Sequence, residues 1–209
     1  MLHNKCVFKT KTDADGNVEI YKARLVAFGN EQLFGIDYTL TFAAVMELGT
    51  VKIILVLSRR WKVLARHGDV PNAYVKVKKE KDLDIYMRVP SGIKIQDDTL
   101  EQHVVKDTKY LALLLRKSLY GLEQADRLWS KLLHSKLAEL DFKQCTTDMC
   151  LYIKDIDRDV TIVGVYVDDL LVNGTSTKWS NVFQEYVVPQ DQGFGRCKQV
   201  PGPSHTTER

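Results

Sequence analysis

Residues 161–174 read Thr-Ile-Val-Gly-Val-Tyr-Val-Asp-Asp-Leu-Leu-Val-Asn-Gly, two apolar β-branched runs on either side of adjacent carboxylates. Residues 162–167 and 170–172 have the composition of strands, and a tight turn at Asp168-Asp169 joins them into a hairpin. The first run is apolar on both faces, which places it centrally in a sheet covered on at least one side. The two aspartates then stand at the hairpin tip and point to opposite faces. Two readings follow. Asp is a common turn former, because its side chain bonds the local backbone; equally, paired carboxylates at a strand tip are a start on a site for a hard cation. The spacing alone leaves both open.

A chain of 209 residues with 44% hydrophobic and 27% charged residues has enough apolar content for a real core. Lys and Arg total 30 against 27 Asp and Glu, a net charge of +3, which neither demands nor excludes a nucleic-acid partner. Cys6, Cys145, Cys150 and Cys197 lack paired Cys-x-x-Cys spacing and have no His at zinc-finger distance. Met1-Leu2-His3-Asn4-Lys5 leads into no apolar signal segment, and no apolar run nears the ~20 residues of a membrane span. The expectation is a reduced, intracellular protein, cytoplasmic or nuclear, with no membrane partner.

Along the chain, residues 6–11 and 18–28 read as strands joined by the turn residues Asp13-Ala14-Asp15-Gly16-Asn17. Lys22 and Arg24, two apart, fall on one face of the second strand, either as solvated charges or as a cationic rail for phosphates. Residues 30–42 form a polar and aromatic loop. Val51, Ile54, Leu55 and Leu57 give residues 48–61 a helical period, with Arg59 and Arg60 at the negative pole, so this is a buried packing helix.

Residues 63–70 read as a short strand ending near Asp69, because Pro71 cannot extend a central ladder. Asp69 is thus another carboxylate at a strand end, though an Asp before a Pro turn is commonly just a turn former. His67 is read as structural. The run Lys76-Val77-Lys78-Lys79-Glu80-Lys81 is a solvated loop, or a further contact for phosphates. Residues 84–89 and 111–116 are strand candidates, and residues 95–109 a loop. Leu128, Leu132, Leu133, Leu137 and Leu140 stripe a helix over residues 125–140, with Trp129 packed alongside. Residues 150–153 are a strand, and 178–187 one more helix. The Gly-, Pro-, Ser- and Thr-rich residues 188–209 cannot bury enough surface to order themselves.

Several of these segments together resemble the reverse transcriptases of copia-type retrotransposons. Tyr166-Val167-Asp168-Asp169 is similar to their Tyr-x-Asp-Asp box, and Lys22-Ala23-Arg24-Leu25-Val26-Ala27, Gly35-Ile36-Asp37-Tyr38 and Thr41-Phe42-Ala43 to their fingers signature. Gly68-Asp69-Val70 with Ala73-Tyr74 resembles the first palm motif. Lys117-Ser118-Leu119-Tyr120-Gly121-Leu122, then Gln124-Ala125 and Arg127-x-Trp129, resembles the branch's most distinctive box, and Asp148-x-Cys150-Leu151-Tyr152 precedes the aspartate pair. The order of the motifs matches as well as their content.

The resemblance implies an α+β chain: right-hand polymerase fingers and palm over residues 1–187, an antiparallel palm sheet backed by helices, no thumb, and a tail over 188–209. It implies RNA-directed DNA polymerase chemistry, a nucleotidyl transfer to a primer 3′-OH assisted by two Mg²⁺ (or Mn²⁺) ions. Asp69, Asp168 and Asp169 would be catalytic, with the backbone of Val70 joining them as metal ligands. Lys22 and Arg24 would meet the incoming deoxynucleoside triphosphate, and Tyr120 and Gly121 would line its pocket. Tyr74, five residues past Asp69, would be the aromatic gate against a ribose 2′-OH. Tyr166 and Val167 would lie near the primer end on an RNA or DNA template. The chain departs from the family pattern at Cys6, Phe28, Ala44, Pro71-Asn72 and Asp126, the last where Gly or Pro is usual. The competing reading is a degenerate, non-catalytic remnant that keeps the palm fold with weak nucleic-acid binding.

Overall fold

A computed structural model describes residues 1–102, 107–175 and 198–199. Its elements run β1 (Asn4–Thr12), β2 (Val18–Ala27), α1 (Leu48–Trp61), β3 (Arg66–Asp69), α2 (Ala73–Lys76), β4 (Tyr86–Arg88), α3 (Asp97–Gln102), β5 (Ala112–Leu114), α4 (Ala125–Glu139), β6 (Lys143–Gln144), β7 (Leu151–Ile156), β8 (Asp159–Tyr166), β9 (Asp169–Gly174) and β10 (Lys198–Gln199). Every pairing between these strands is antiparallel. The chain divides into two compact units. One holds Met1–Phe42 and Tyr74–Trp129; the other holds Ala43–Ala73 and the chain from Ser130 onward.

In the first unit, β1 and β2 form a two-stranded ribbon that is exposed along most of its length on both faces. Its turn is set by side-chain chemistry. Asp13 Oδ1 accepts from the Asp15 and Asn17 amides at 3.0 and 2.8 Å, and Gly16 supplies a φ of +86°. The Asn17 bonds also hold the Asp13 carboxyl below the usual carboxylate range. Below the ribbon, Leu2, Ala27, Ile85, Met87, Leu122 and Ala125 make the core of this unit. Two close backbone approaches lock it. A Cβ on Gly29 would stand 2.0 Å from the Gly121 carbonyl oxygen, and one on Gly121 would stand 2.2 Å from that of Ala27.

A buried amide pair ties the loop after β2 to the turn before α4. Gln124 Nε2 donates to the Asp37 carbonyl at 3.0 Å and Gln124 Oε1 accepts from Gln32 Nε2 at 3.1 Å; Gln32 Oε1 in turn accepts from the Glu123 amide at 2.8 Å. Gln124 is fully buried, so each of these bonds answers a polar atom that water cannot reach.

The second unit is built on a six-stranded sheet in the order β10-β3-β9-β8-β7-β6. Strand β8 is central, as its apolar composition requires. The turn into it, Asp157-Arg158, has φ of +52° and +73°, the left-handed pair that matches the twist of a two-residue hairpin. Helix α1 lies against β8 and β9. It buries Ile54 with partly buried Val51, Leu57 and Trp61, while Ile53, Leu55 and Val56 remain exposed. The expected packing helix is therefore buried on one side only, and Leu55 belongs to its outer side. Asn173 Nδ2 bonds the Ile54 carbonyl at 3.2 Å, and Thr50 Oγ1 bonds Asp148 Oδ2 at 2.5 Å, pinning the helix to β9 and to the β6–β7 connection by polar contacts as well. In α4, Leu128, Trp129, Leu133 and Leu137 are buried.

Three expectations need correction. Residues 95–109 contain α3, whose first turn carries Asp97 and Asp98 at the positive pole of the helix dipole. The strand before Asp69 starts only at Arg66, since residues 63–65 have no ladder partner. The hairpin turn falls at Val167-Asp168, and Asp169 is already the first residue of β9. The helix expected over residues 178–187 lies outside the described residues, as does the expected tail apart from Lys198–Gln199, which pair with Arg66 and His67.

Truncating the best-buried side chain of α1 tests this packing. Ile54→Ala should lower stability by about 2–5 kcal/mol, read from the shift of the urea unfolding midpoint.

Candidate active site

The register of three strands brings the acidic residues together. Asp69, the last residue of β3, is the direct cross-strand partner of Asp169, which is in turn the partner of Tyr166 on β8. Directly opposed residues of an antiparallel pair project from the same face, with Cα atoms about 4.5–5.5 Å apart. Asp69 and Asp169, about half the chain apart in sequence, thus share one face at one end of the sheet. The next row inward on that face holds Leu171 opposite Gly164, where a Cβ would meet Met46 Sδ at 2.6 Å and Ile54 Cδ1 at 2.8 Å. The carboxylates therefore begin where the apolar cover of α1 ends.

Asp168 sits in the turn beside them. Its carbonyl accepts from the Val70 amide at 3.0 Å, so the segment leaving β3 is tied to the hairpin tip by backbone. Val70 is fully buried. Val167, the first turn residue, has a φ of +57°, a left-handed conformation that a β-branched residue adopts only at a cost. Tyr166 is half exposed beside this turn.

His67, read from sequence as structural, proves to be part of the cluster. Its Nε2 lies 2.9 Å from Asp169 Oδ1, with both side chains about half exposed at 46% and 48%. The alternation of β3 is the available signal, since His67 and Asp69 are two apart and so share a face. Among the described residues, no three His, Cys, Asp or Glu side chains converge closely enough to hold a metal ion by themselves. The donor set is nonetheless of the right kind for Mg²⁺ or Mn²⁺. It offers hard carboxylate oxygens, few enough that the remaining positions fall to water and substrate phosphates.

The other expected residues lie in the first unit. Lys22 faces Lys9 directly across the ribbon and Arg24 faces Val7, so both cations share a face with Lys5, Lys9 and Lys11. Sequence reasoning missed those three lysines, although their every-second-residue spacing is the signal that could have found them. The Arg24 guanidinium lies 4.9 Å from the Tyr120 ring centroid, a cation–π contact. Tyr120 meets Tyr74 edge-on at 4.8 Å and 79°, and the Tyr74 hydroxyl donates to Asp126 Oδ1. Tyr120 is fixed to β2 through its carbonyl, which accepts from the Ala27 amide at 2.8 Å. Lys22, Arg24, Tyr74, Tyr120 and Gly121 thus stand in one unit, and Asp69, Asp168, Asp169, Tyr166 and Val167 in the other.

The lysine run departs from a simple solvated loop. Lys79 Nζ bonds the Glu80 and Leu83 carbonyls and Asp84 Oδ1, and burial pushes the Lys76 ammonium down to about 8. Cys150 is buried in the core beside Ile54 and Ile162, and that burial raises its thiol to about 11.

Comparison with known proteins decides the family. The reverse transcriptase (RNA-dependent DNA polymerase) profile matches residues 1–190. The chain belongs to the reverse transcriptase family. Within it, the relatives are of the copia type. The chain is 31% identical over 215 aligned residues to the retrovirus-related Pol polyprotein from transposon RE1 of Arabidopsis thaliana, covering 97% of this chain and 14% of the relative. It is 34% identical to the Pol polyprotein from transposon RE2 of the same plant, over 82% of this chain and 11% of the relative. It is also 34% identical to the Pol polyprotein from transposon TNT 1-94 of Nicotiana tabacum, over 83% of this chain and 12% of the relative. The chain therefore spans well under a fifth of the length of these curated relatives. No solved structure matches it significantly. No described helix is long and apolar enough to cross a membrane.

Two outcomes test the local geometry of this reverse transcriptase unit. Gly121→Ala would combine a φ of +88° with a Cβ pressed against the Ala27 carbonyl. It should cost at least about 2 kcal/mol in urea unfolding. Lys76 holds its proton up to about 8 when folded, against an ordinary lysine value of 10.5, so its burial penalty is fully present at neutral pH. Folding should strengthen as pH rises through that window, because the unfolded state then binds the extra proton. Lys76→Met should be more stable than the parent at pH 7, with the difference shrinking by pH 10.

Proposed function

We propose that this chain is the fingers and palm portion of an RNA-directed DNA polymerase, the second unit being the palm and the first the fingers. The reaction is transfer of a deoxynucleotide from its triphosphate to a primer 3′-OH on an RNA or DNA template. The observation that carries this reading is the register of β3 and β9. It sets Asp69 opposite Asp169, beside a turn that begins at a left-handed Val167 and places Asp168 next.

Asp69, Asp168 and Asp169, with the Val70 carbonyl, would hold two divalent cations. Bound there, such a pair supplies charge neutralisation for the attacking and leaving oxygens of an in-line displacement. The protein's own groups do the rest. Asp69 and Asp169 are carboxylates crowded onto one face, an arrangement that repels itself until a cation arrives. His67 holds Asp169 in a fixed orientation meanwhile. Lys22 and Arg24 bind the triphosphate, and the opposed Lys9–Lys22 pair supports this, because like charges directly across a ribbon are unfavourable unless an anion joins them. Tyr120 and Gly121 line the nucleotide pocket, Tyr74 excludes a ribose 2′-OH, and Tyr166 and Val167 lie by the primer end.

The degenerate remnant is the alternative outcome of the same test. Primer extension on an oligonucleotide-primed RNA template with Mg²⁺ or Mn²⁺ should proceed with the parent chain. In Asp168→Asn it should fall at least about a hundredfold, the scale of losing a group that stabilises transition-state charge. Equal incorporation by both proteins, or none by either, overturns catalysis by this chain.

A further inference from the structure

Asp126 stands where the family pattern has Gly or Pro, and it is exposed at the first turn of α4. A carboxylate there is electrostatically awkward next to a site for polyanions. Its partner gives it a purpose. Asp126 Oδ1 accepts the hydrogen bond of the Tyr74 hydroxyl, and Tyr74 in turn stands edge-on to Tyr120, whose ring carries the Arg24 guanidinium. A cation, two rings and an anion thus form one continuous chain of contacts within the first unit, from β2 to α4. We propose that Asp126 is a positioning residue that sets sugar discrimination by tethering the Tyr74 ring.

The inference rests on the reading of Tyr74 as the sugar gate. Its physical content is twofold. A phenol bonded to a carboxylate at one end and wedged against Tyr120 at the other loses the ring freedom that would let a bulkier sugar push it aside. The bond also consumes the only donor of the phenol. An untethered tyrosine could turn that O–H toward a ribose 2′-OH and welcome it, whereas a tethered one offers no donor to the extra hydroxyl. A hydrogen bond to a charged acceptor is the stronger kind, which suits a fixed gate.

The test has two arms on the full chain. In the first, 13C-tyrosine NMR follows the Tyr74 Cζ resonance, assigned by its loss in Tyr74→Phe. It should shift in Asp126→Ala, and an unmoved resonance overturns the tether whether or not the chain polymerises. In the second, primer extension compares kcat/KM for dUTP and UTP in the parent, Asp126→Asn, Asp126→Ala, Tyr74→Phe and the Tyr74→Phe/Asp126→Ala double variant. The preference for dUTP should fall about three- to tenfold in Asp126→Ala, mainly through KM for UTP, and by less in Tyr74→Phe, which loosens the ring but has no O–H to offer the 2′-OH. In the double variant it should fall no further than in Tyr74→Phe, because both changes break the same bond. Asp126→Asn, which keeps an acceptor and removes the charge, should improve both substrates alike and hold the preference within about twofold. A preference in Asp126→Ala equal to the parent's, or an additive double variant, overturns the inference. Absence of extension in the parent bears instead on the polymerase reading, and the NMR arm then decides the tether alone.

Discussion

The candidate site depends first on the hydrogen-bonded register between β3 and β9. Side chains alternate with a period of two along a strand, so a slip of one residue would send Asp69 to the opposite face from Asp169. The sequence guards against this slip in two ways. Gly68, Leu170 and Val172 are buried on one face, so a slipped strand would expose them. On the other face, Leu171 of β9 lies opposite Gly164 of β8, where a Cβ would press on the ends of the Met46 and Ile54 side chains that cover this row. The apolar packing that stabilises the sheet is therefore also what aligns the carboxylates. Stability and chemistry here share one set of hydrogen bonds.

Much of this is readable from sequence because the signals are local. The β1–β2 turn residues, the helical period of Leu48–Trp61, and the apolar run of β8 each carry their conformation within a few neighbours. Where sequence falls short, the deciding contact is distant. His67 gives no sign of Asp169, about a hundred residues away, because only the sheet register joins them. Gln32 and Gln124 read as ordinary polar residues until folding buries them against each other. The shift of the hairpin turn by one residue has another cause. Val167 is a poor turn residue by propensity, and the ladder pairing of Tyr166 with Asp169 overrides that preference.

The first unit solves a different problem, since its proposed nucleotide-facing groups come from segments far apart in sequence. Backbone rather than side-chain packing brings them together. Gly29 and Gly121 let the end of β2 run directly against the Tyr120–Gly121 turn, which fixes the height of Tyr120 beneath Arg24. The amide pair Gln32–Gln124 then holds the following loop to the same turn. Glycine contact and buried amides are both intolerant of substitution, for steric and for desolvation reasons respectively.

The β1–β2 ribbon is attached to the core of its unit chiefly at the Ala27 end, while residues 7–21 are in water on both faces. A two-stranded ladder of this kind is stiff along its own length but has nothing behind it. Displacements should therefore concentrate at the root near Ala27, and the ribbon should swing as a lever whose far end carries Lys9 and Lys11. Its mechanical compliance is set at that root, where Leu25 and Ala27 pack on the core and the Ala27 amide bonds the Tyr120 carbonyl.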